Sequence, residues 1–370
     1  MNRKNTVGPE PLGGPGGAAP PRRPAFRRGL QIALSVALAG VLLAFFLSRV
    51  NLSEIGSQIA RADPLWLLAS ALLALVSFLG RALRWVWILR PVARVPLFPA
   101  FSATATGFAA NTVLPARAGE IVRPALLARD RNLPFSPLLA SIVFERILDA
   151  ASVLFFLFLA LVEGPPPEAR GRAFQTLARG SALPALLLVA VIALSLFAVF
   201  RRSATERFFD RMTRRLPAKL VPRAQSFATT FLDGFQSLRD PKLSLLVVAG
   251  SIGLWFMINL QIFCVLQAFG LGLPFSATYV VAAAAVLGLA VPTPGGIGGY
   301  HAAVQVALTD FYGVPVAAAS GVALLAHAIS FVPITAIGFL LFASSPMRKR
   351  GLATLAERPE EVAMRDNPSR

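Results

Sequence analysis

Cysteine and histidine are nearly missing: 370 residues hold one cysteine and two histidines. Cys264 has no second thiol to pair with, which excludes an intrachain disulfide and leaves no thiolate metal site. His301 and His327 cannot complete a zinc site without carboxylate help, and nothing calls for a cofactor. Acidic residues are scarce as well. Asp and Glu number 18 against 36 Lys and Arg, a net charge of +18. Such a balance suggests nucleic acid, but the basic residues lie between apolar blocks rather than on a polar face, so nucleic acid is not the expected partner. No nucleophile–base pair, metal-ligand cluster or nucleotide-binding glycine loop stands out, so the chain does not read as an enzyme.

What is abundant is apolar sequence. Hydrophobic residues make up 55% of the chain and charged residues 15%. The apolar residues come in blocks, and about 20 of them suffice to cross a bilayer. Residues 1–29 are Pro/Gly-rich and basic and read as a disordered N-terminal segment. From 30 to 343 the chain reads as one all-α, polytopic transmembrane unit of about six to eight helices. Its long blocks are Leu30 to Leu47, Leu65 to Leu89, Pro137 to Val162, Ala182 to Phe200, Leu243 to Ala268 and Val314 to Phe342. The first is an anchor rather than a cleaved signal, because it is long and more membrane blocks follow. Residues 201–242 are basic, with apolar spacing that suits an amphipathic helix on the membrane surface. Residues 344–370 form a polar tail.

With the N-terminus inside, 28 of the 36 basic residues fall on the cytoplasmic side, 5 fall outside, and 3 (Arg81, Arg84 and Arg146) lie within apolar blocks. That bias places both termini in the cytoplasm, in a bacterial cytoplasmic membrane. It requires two apolar runs, 98–115 and 275–291, to return to the side they enter. Both are rich in small residues, end at Pro and precede Gly, as re-entrant or broken helices do. Backbone breaks are expected near 107–119 and 291–299, facing one another across a shared cavity. Helix, broken segment, helix, repeated in opposite orientation, is the arrangement of inverted-repeat transporters. Ordinary crossing hairpins are the alternative.

Three stretches carry the candidate chemistry. NTVLPARAGEIVR, from Asn111 to Arg123, sets Arg117, Glu120 and Arg123 on roughly one helical face. Two arginines sharing one carboxylate keep spare donors for a phosphate, though cytoplasmic arginines also simply fix orientation. Glu145, Arg146 and Asp149 sit inside a long apolar helix, where a charge costs a few kcal/mol unless paired. A functional role and a helix-locking role through Arg81 or Arg84 are equally open. PTPGGIGGYH, from Pro292 to His301, cannot stay helical and frees backbone groups to bind a polar headgroup. His301 is placed to sense protonation near neutral pH, whereas His327 reads as a packing or hydrogen-bonding residue.

Together NTVLPARAGEIVRPALL, ERILD and PTPGGIGGYHAAV make the chain resemble the membrane portion of bacterial lysylphosphatidylglycerol synthases, a flippase-like family, over about residues 30 to 343. The resemblance implies a lipid-translocating domain. Arg117, Gly119, Glu120, Arg123, Glu145, Arg146, Asp149 and the turn from Pro294 through Gly295 and Gly296 to Gly298 fall on the family's recurrent positions. Many members have Glu where this chain has His301, so a carboxylate role does not carry over there. No aminoacyl-transferase sequence follows residue 343, so lysine transfer is not expected. The expected ligand is an anionic phospholipid or lipid-linked phosphate. The alternative is a membrane subunit of a lipid- or polyprenyl-phosphate-modifying system, with a synthetase or glycosyltransferase as partner.

Overall fold

In the computed structural model, the described residues are 51–114, 117–163, 240–291 and 293–344, with scattered single positions between 37 and 44 and between 186 and 225. The N-terminal segment, the tail beyond Ser344 and nearly all of the anchor block, the block from Ala182 and the basic 201–242 segment lie outside them. Among the described residues the regular elements are helices. They are α1 (Leu52–Arg61), α2 (Pro64–Leu89), α3 (Leu97–Val113), α4 (Gly119–Arg131), α5 (Phe135–Glu163), α6 (Pro241–Ala268), α7 (Ala277–Ala290), α8 (Gly299–Tyr312) and α9 (Val316–Ser344), with a 3-10 turn at Pro294–Gly296 between α7 and α8.

Length and composition qualify α2, α6 and α9 to cross a membrane. α5 matches them with 29 residues but carries Glu145, Arg146 and Asp149 inside it. Large apolar side chains lie exposed on the outside of α2, at Leu65, Leu68, Leu72, Val76, Leu79 and Leu83. Their three- and four-residue spacing makes one stripe, while Ser70, Ser77 and Arg84 of the same helix are buried. Polar inside and apolar outside is the pattern a bilayer demands.

α2 and α6 both open on Asp-Pro. Asp63 accepts from the Leu65 N–H, and Asp240 from those of Lys242 and Leu243, with proline at the first helical position. The two helices run antiparallel. The Asp63 N–H donates to the Ala268 carbonyl at 2.9 Å, and farther along Arg84 meets Ser251.

The breaks sit between α3 and α4 and between α7 and α8, and each pair of arms folds back as an antiparallel hairpin. α3 extends through Val113, so its break begins later than 107. Gly107 serves as a crossing point instead of a breaker. A Cβ there would sit 2.9 Å from the Cβ of Arg123 and 3.0 Å from the Gly119 carbonyl. In the second hairpin a Cβ on Gly288 would sit 2.9 Å from the Cβ of Ala303 and would clash with the Gly299 carbonyl. Arg123 and Ala303 are each the fifth residue of their arm. At 1.5 Å per residue the 14-residue arms α7 and α8 reach only about 21 Å, short of a 30 Å hydrocarbon core.

The hairpins enter from opposite ends. The start of α3 lies beside the end of α9, with Phe98, Leu341 and Ser344 around one cleft. α7 begins at the other end, where Tyr279 packs on Phe156 near the end of α5. Exchanging the unit α2–α5 with the unit α6–α9 preserves the neighbours: α2 packs on α6, α3 on α9 as α7 on α5, and α4 on α5 as α8 on α9. The fold is therefore an inverted repeat.

Candidate functional site

The two hairpin tips meet near the centre. Gly295 approaches the Thr112 side chain, and a Cβ there would stand 3.5 Å from Thr112 Cγ2. Positive φ at Gly295 (62°), Gly296 (71°) and Gly298 (87°) lets the second tip turn this tightly. His327 of α9 pins the turn through its Nε2, 2.8 Å from the Gly295 carbonyl oxygen. Around both tips lies a cavity of about 450 Å³, within the usual size of a small-ligand site.

Its polar wall comes from α2, α4 and α5. Glu145 and Arg84 are fully buried at 0% exposure, and Arg123 is nearly so at 5%. Arg123 Nη1 stands 2.9 Å from Glu145 Oε1, and its guanidinium carbon lies 4.0 Å above the Trp85 ring. Arg146 Nη2 bridges Glu145 Oε1 at 2.9 Å and Asp149 Oδ2 at 3.0 Å. Arg84 Nη1 meets Asp149 Oδ1 at 2.8 Å, and the Trp255 Nε1–H donates to that same oxygen at 3.1 Å. Arg81 approaches Asp149 at 3.6 Å. Four guanidiniums therefore surround two carboxylates, leaving two positive charges in excess. Arg117 and Glu120, 3.7 Å apart, join without changing that excess.

Not every cation is equally committed. Arg84 and Arg123 are held among buried partners, whereas Arg146 is 34% and Arg117 44% exposed. Nε of Arg146, and Nε and Nη2 of both Arg84 and Arg123, are buried without a hydrogen-bond partner. Arg117 sits in the break itself with a left-handed φ of 54°, which turns its side chain out of the helical path.

The repeat also governs the cavity. Arg84 and Gln261 are each the twenty-first residue of α2 and α6, and Asp149 and Ser330 each the fifteenth of α5 and α9. The Arg84–Asp149 pair thus has a neutral counterpart, in which Gln261 Nε2 donates to Ser330 Oγ at 2.7 Å. One half of the cavity is cationic. The other is uncharged and largely apolar, lined by Ile258, Ile262, Ala285, Val286 and Leu289.

Of the residues singled out from sequence, Asn111, Arg117, Glu120, Arg123, Arg146, Asp149, Gly295 and Gly296 line the cavity. Glu145 lies behind the lining as the hub of three arginines. Pro294 and Gly298 shape the turn without facing the space. His301 is buried behind that turn, where its Nδ1 accepts from the Gly298 N–H at 3.3 Å and caps α8. Trp255, Gln261 and Ser330 were missed: a single neutral polar residue or indole in an apolar helix reads as packing unless the repeat is aligned. Thr293, which also lines the cavity, lies in the extended backbone of the PTPGGIGGYH break.

The chain is similar to two curated proteins. Over 93% of its length it is 27% identical to a protein named glycosyltransferase AglD of Haloferax volcanii, of which it spans 59%. Over 83% of its length it is 23% identical to a UPF0104 membrane protein of Methanothermobacter thermautotrophicus, of which it covers 93%. Residues 32–338 match the lysylphosphatidylglycerol synthase TM region, and the chain belongs to that family.

Proposed function

We propose that this chain binds the anionic headgroup of a phospholipid or lipid-linked phosphate in the central cavity and passes it between leaflets. The observation that carries the reading is the excess of two positive charges at the meeting point of two hairpins that enter from opposite ends. Buried cations are ordinarily matched by anions, because an uncompensated charge in a low-dielectric site is expensive. A phosphate would supply the missing charge and accept from the unused guanidinium N–H groups. Arg146 and Arg117 are the residues placed to give those contacts. The apolar wall suits the first stretch of a lipid chain, which distinguishes a lipid from a free anion.

The setting proposed is a bacterial cytoplasmic membrane with both termini inside, beside a synthetase or glycosyltransferase that makes or consumes the lipid. A second reading draws on the relative named a glycosyltransferase: the chain would be a membrane subunit that presents a lipid phosphate to an enzyme without moving it.

Binding is tested with the purified protein and short-chain phosphatidic acid, phosphatidylglycerol or phosphatidylcholine, followed by thermal shift. The anionic lipids should stabilise the protein, and Arg146→Gln should weaken the affinity read from that stabilisation about tenfold or more, as for a lost charge-assisted contact. Equal stabilisation by phosphatidylcholine would reject the headgroup reading.

A further inference from the structure

The repeat that matches Arg84 with Gln261 also gives Arg146 a counterpart. Arg146 is the twelfth residue of α5 and His327 the twelfth of α9, two helices of 29 residues each. The other cations of the polar wall have neutral counterparts: Ile258 for Arg81, Gln261 for Arg84 and Ala303 for Arg123. Of these four positions, only the one held by His327 keeps a side chain that can become a cation.

Its backbone partner fixes the tautomer of His327. A carbonyl oxygen only accepts, so Nε2, 2.8 Å from the Gly295 oxygen, carries the hydrogen and Nδ1 holds the lone pair. A proton added at Nδ1 leaves that bond in place and makes it charge-assisted. His301, whose ring centroid lies 4.7 Å away, differs. Its Nδ1 already accepts from the Gly298 N–H, and an imidazolium has no acceptor. His327 is partly exposed and stands behind the cavity lining. Gly295, which it holds, and Tyr300 and Phe331, whose rings pack against it, form that lining. The surroundings hold little competing charge. α3, α7 and α9 carry no charged residue, and α8 carries Asp310, nine residues beyond His301. α1, with Glu54 and Arg61, meets α9 at Gly321, six residues before His327. Arg81 and Arg84 of α2 are engaged by Asp149, and α6 reaches α9 through the Gln261–Ser330 pair.

We infer that His327 is a proton-binding site linked to the anion in the cavity: the proton makes the neutral half cationic, so headgroup binding and proton uptake favour each other. This rests on the anionic-headgroup reading above. A pH gradient then biases lipid movement, because the second half attracts an anion only while His327 holds its proton.

The probe is short-chain phosphatidylglycerol, whose diester phosphate does not itself titrate over the range in which histidine ordinarily does, roughly pH 5 to 8. Calorimetric titration of the full-length protein in detergent, repeated in buffers of different ionisation enthalpy, counts the protons taken up on binding. Wild-type protein should take up a fraction of a proton and bind about threefold to tenfold more tightly at the acid end, as for opposite charges across a cavity. His327→Gln, whose amide can still donate to Gly295, should abolish the uptake and flatten the pH dependence, whereas His301→Gln should keep both. The chain has two histidines, so spectra of wild-type protein with isotopically labelled histidine show directly whether lipid binding protonates a ring. A variant that misfolds therefore does not shelter the inference. Binding without proton uptake overturns it, as does uptake that persists in folded His327→Gln and so belongs to a carboxylate such as Glu120. Either result leaves the headgroup reading standing. If folded wild-type protein does not bind the lipid, that reading falls and this inference with it.

Discussion

Arg123 reaches from α4 to Glu145 on α5 across 2.9 Å, with both side chains out of reach of solvent. That contact makes Arg123 a structural residue as much as a ligand candidate. Breaking a buried ion pair by removing one partner costs about 3–5 kcal/mol. Arg123→Gln should therefore lower the melting temperature and yield of purified protein. Glu145→Gln should do so more severely, since it strips a shared partner from Arg84, Arg123 and Arg146. A melting temperature for Arg123→Gln within a degree of wild type would show that the pair does not hold the hairpin.

Arg117 should behave in the opposite way. It is exposed, and its pairing with Glu120 is loose at 3.7 Å, so the pair contributes at most about 1 kcal/mol. Arg117→Gln should leave thermal stability unchanged and weaken phosphatidic acid binding by about tenfold. Unaltered binding by the stable variant would restrict Arg117 to fixing orientation.

The crossing glycines give a test of the hairpins. A methyl group on Gly119 or Gly288 would press into backbone of the opposite arm, whereas Gly253 on α6 has open space around it. Gly119→Ala and Gly288→Ala should each destabilise by about 1–3 kcal/mol or more. Gly253→Ala should be neutral or slightly stabilising, because alanine is the better helix former. Thermal melts of the three proteins decide it.

Much of the architecture was legible because a bilayer writes its constraint as block length. The expected blocks 65–89, 243–268 and 314–342 differ by two residues or fewer at each end from α2, α6 and α9. The two breaks were legible from Pro and Gly. Their extent was not, because a glycine used for close helix crossing looks like one used to stop a helix, as at Gly107. α1 was overlooked although Asn51 caps it and Leu52, Ile55 and Ile59 recur at helical spacing. At the site, the charged residues announced themselves. Which arginines are enclosed and which stay partly exposed depends on packing across α2, α4 and α5, which spacing along one helix does not contain.

The opposed hairpins put Ser53 and Asp310 on one face and Asn132 on the other, and the proposed orientation, with the basic residues inside, makes the first face periplasmic. In a Cys264→Ala background, cysteines at Ser53 and Asp310 should react with an impermeant reagent from the periplasmic side, and one at Asn132 only after the membrane is opened. Ser53 and Asp310 lie toward the end where α2 begins, and Asn132 follows the end of α4. Labelling of Asn132 together with Ser53 in intact cells would break the inverted arrangement.

The central claim, that the cavity moves an anionic headgroup across the bilayer, is tested most directly by transbilayer lipid transfer in proteoliposomes containing only this protein. Wild-type protein should speed the movement of a fluorescent anionic phospholipid above the protein-free rate, and Arg146→Gln, if folded, should abolish most of that gain. Folded wild-type protein that leaves the rate at the protein-free value for anionic phospholipids and polyprenyl phosphates alike would contradict transport and leave the chain as a subunit that holds its lipid for an enzyme.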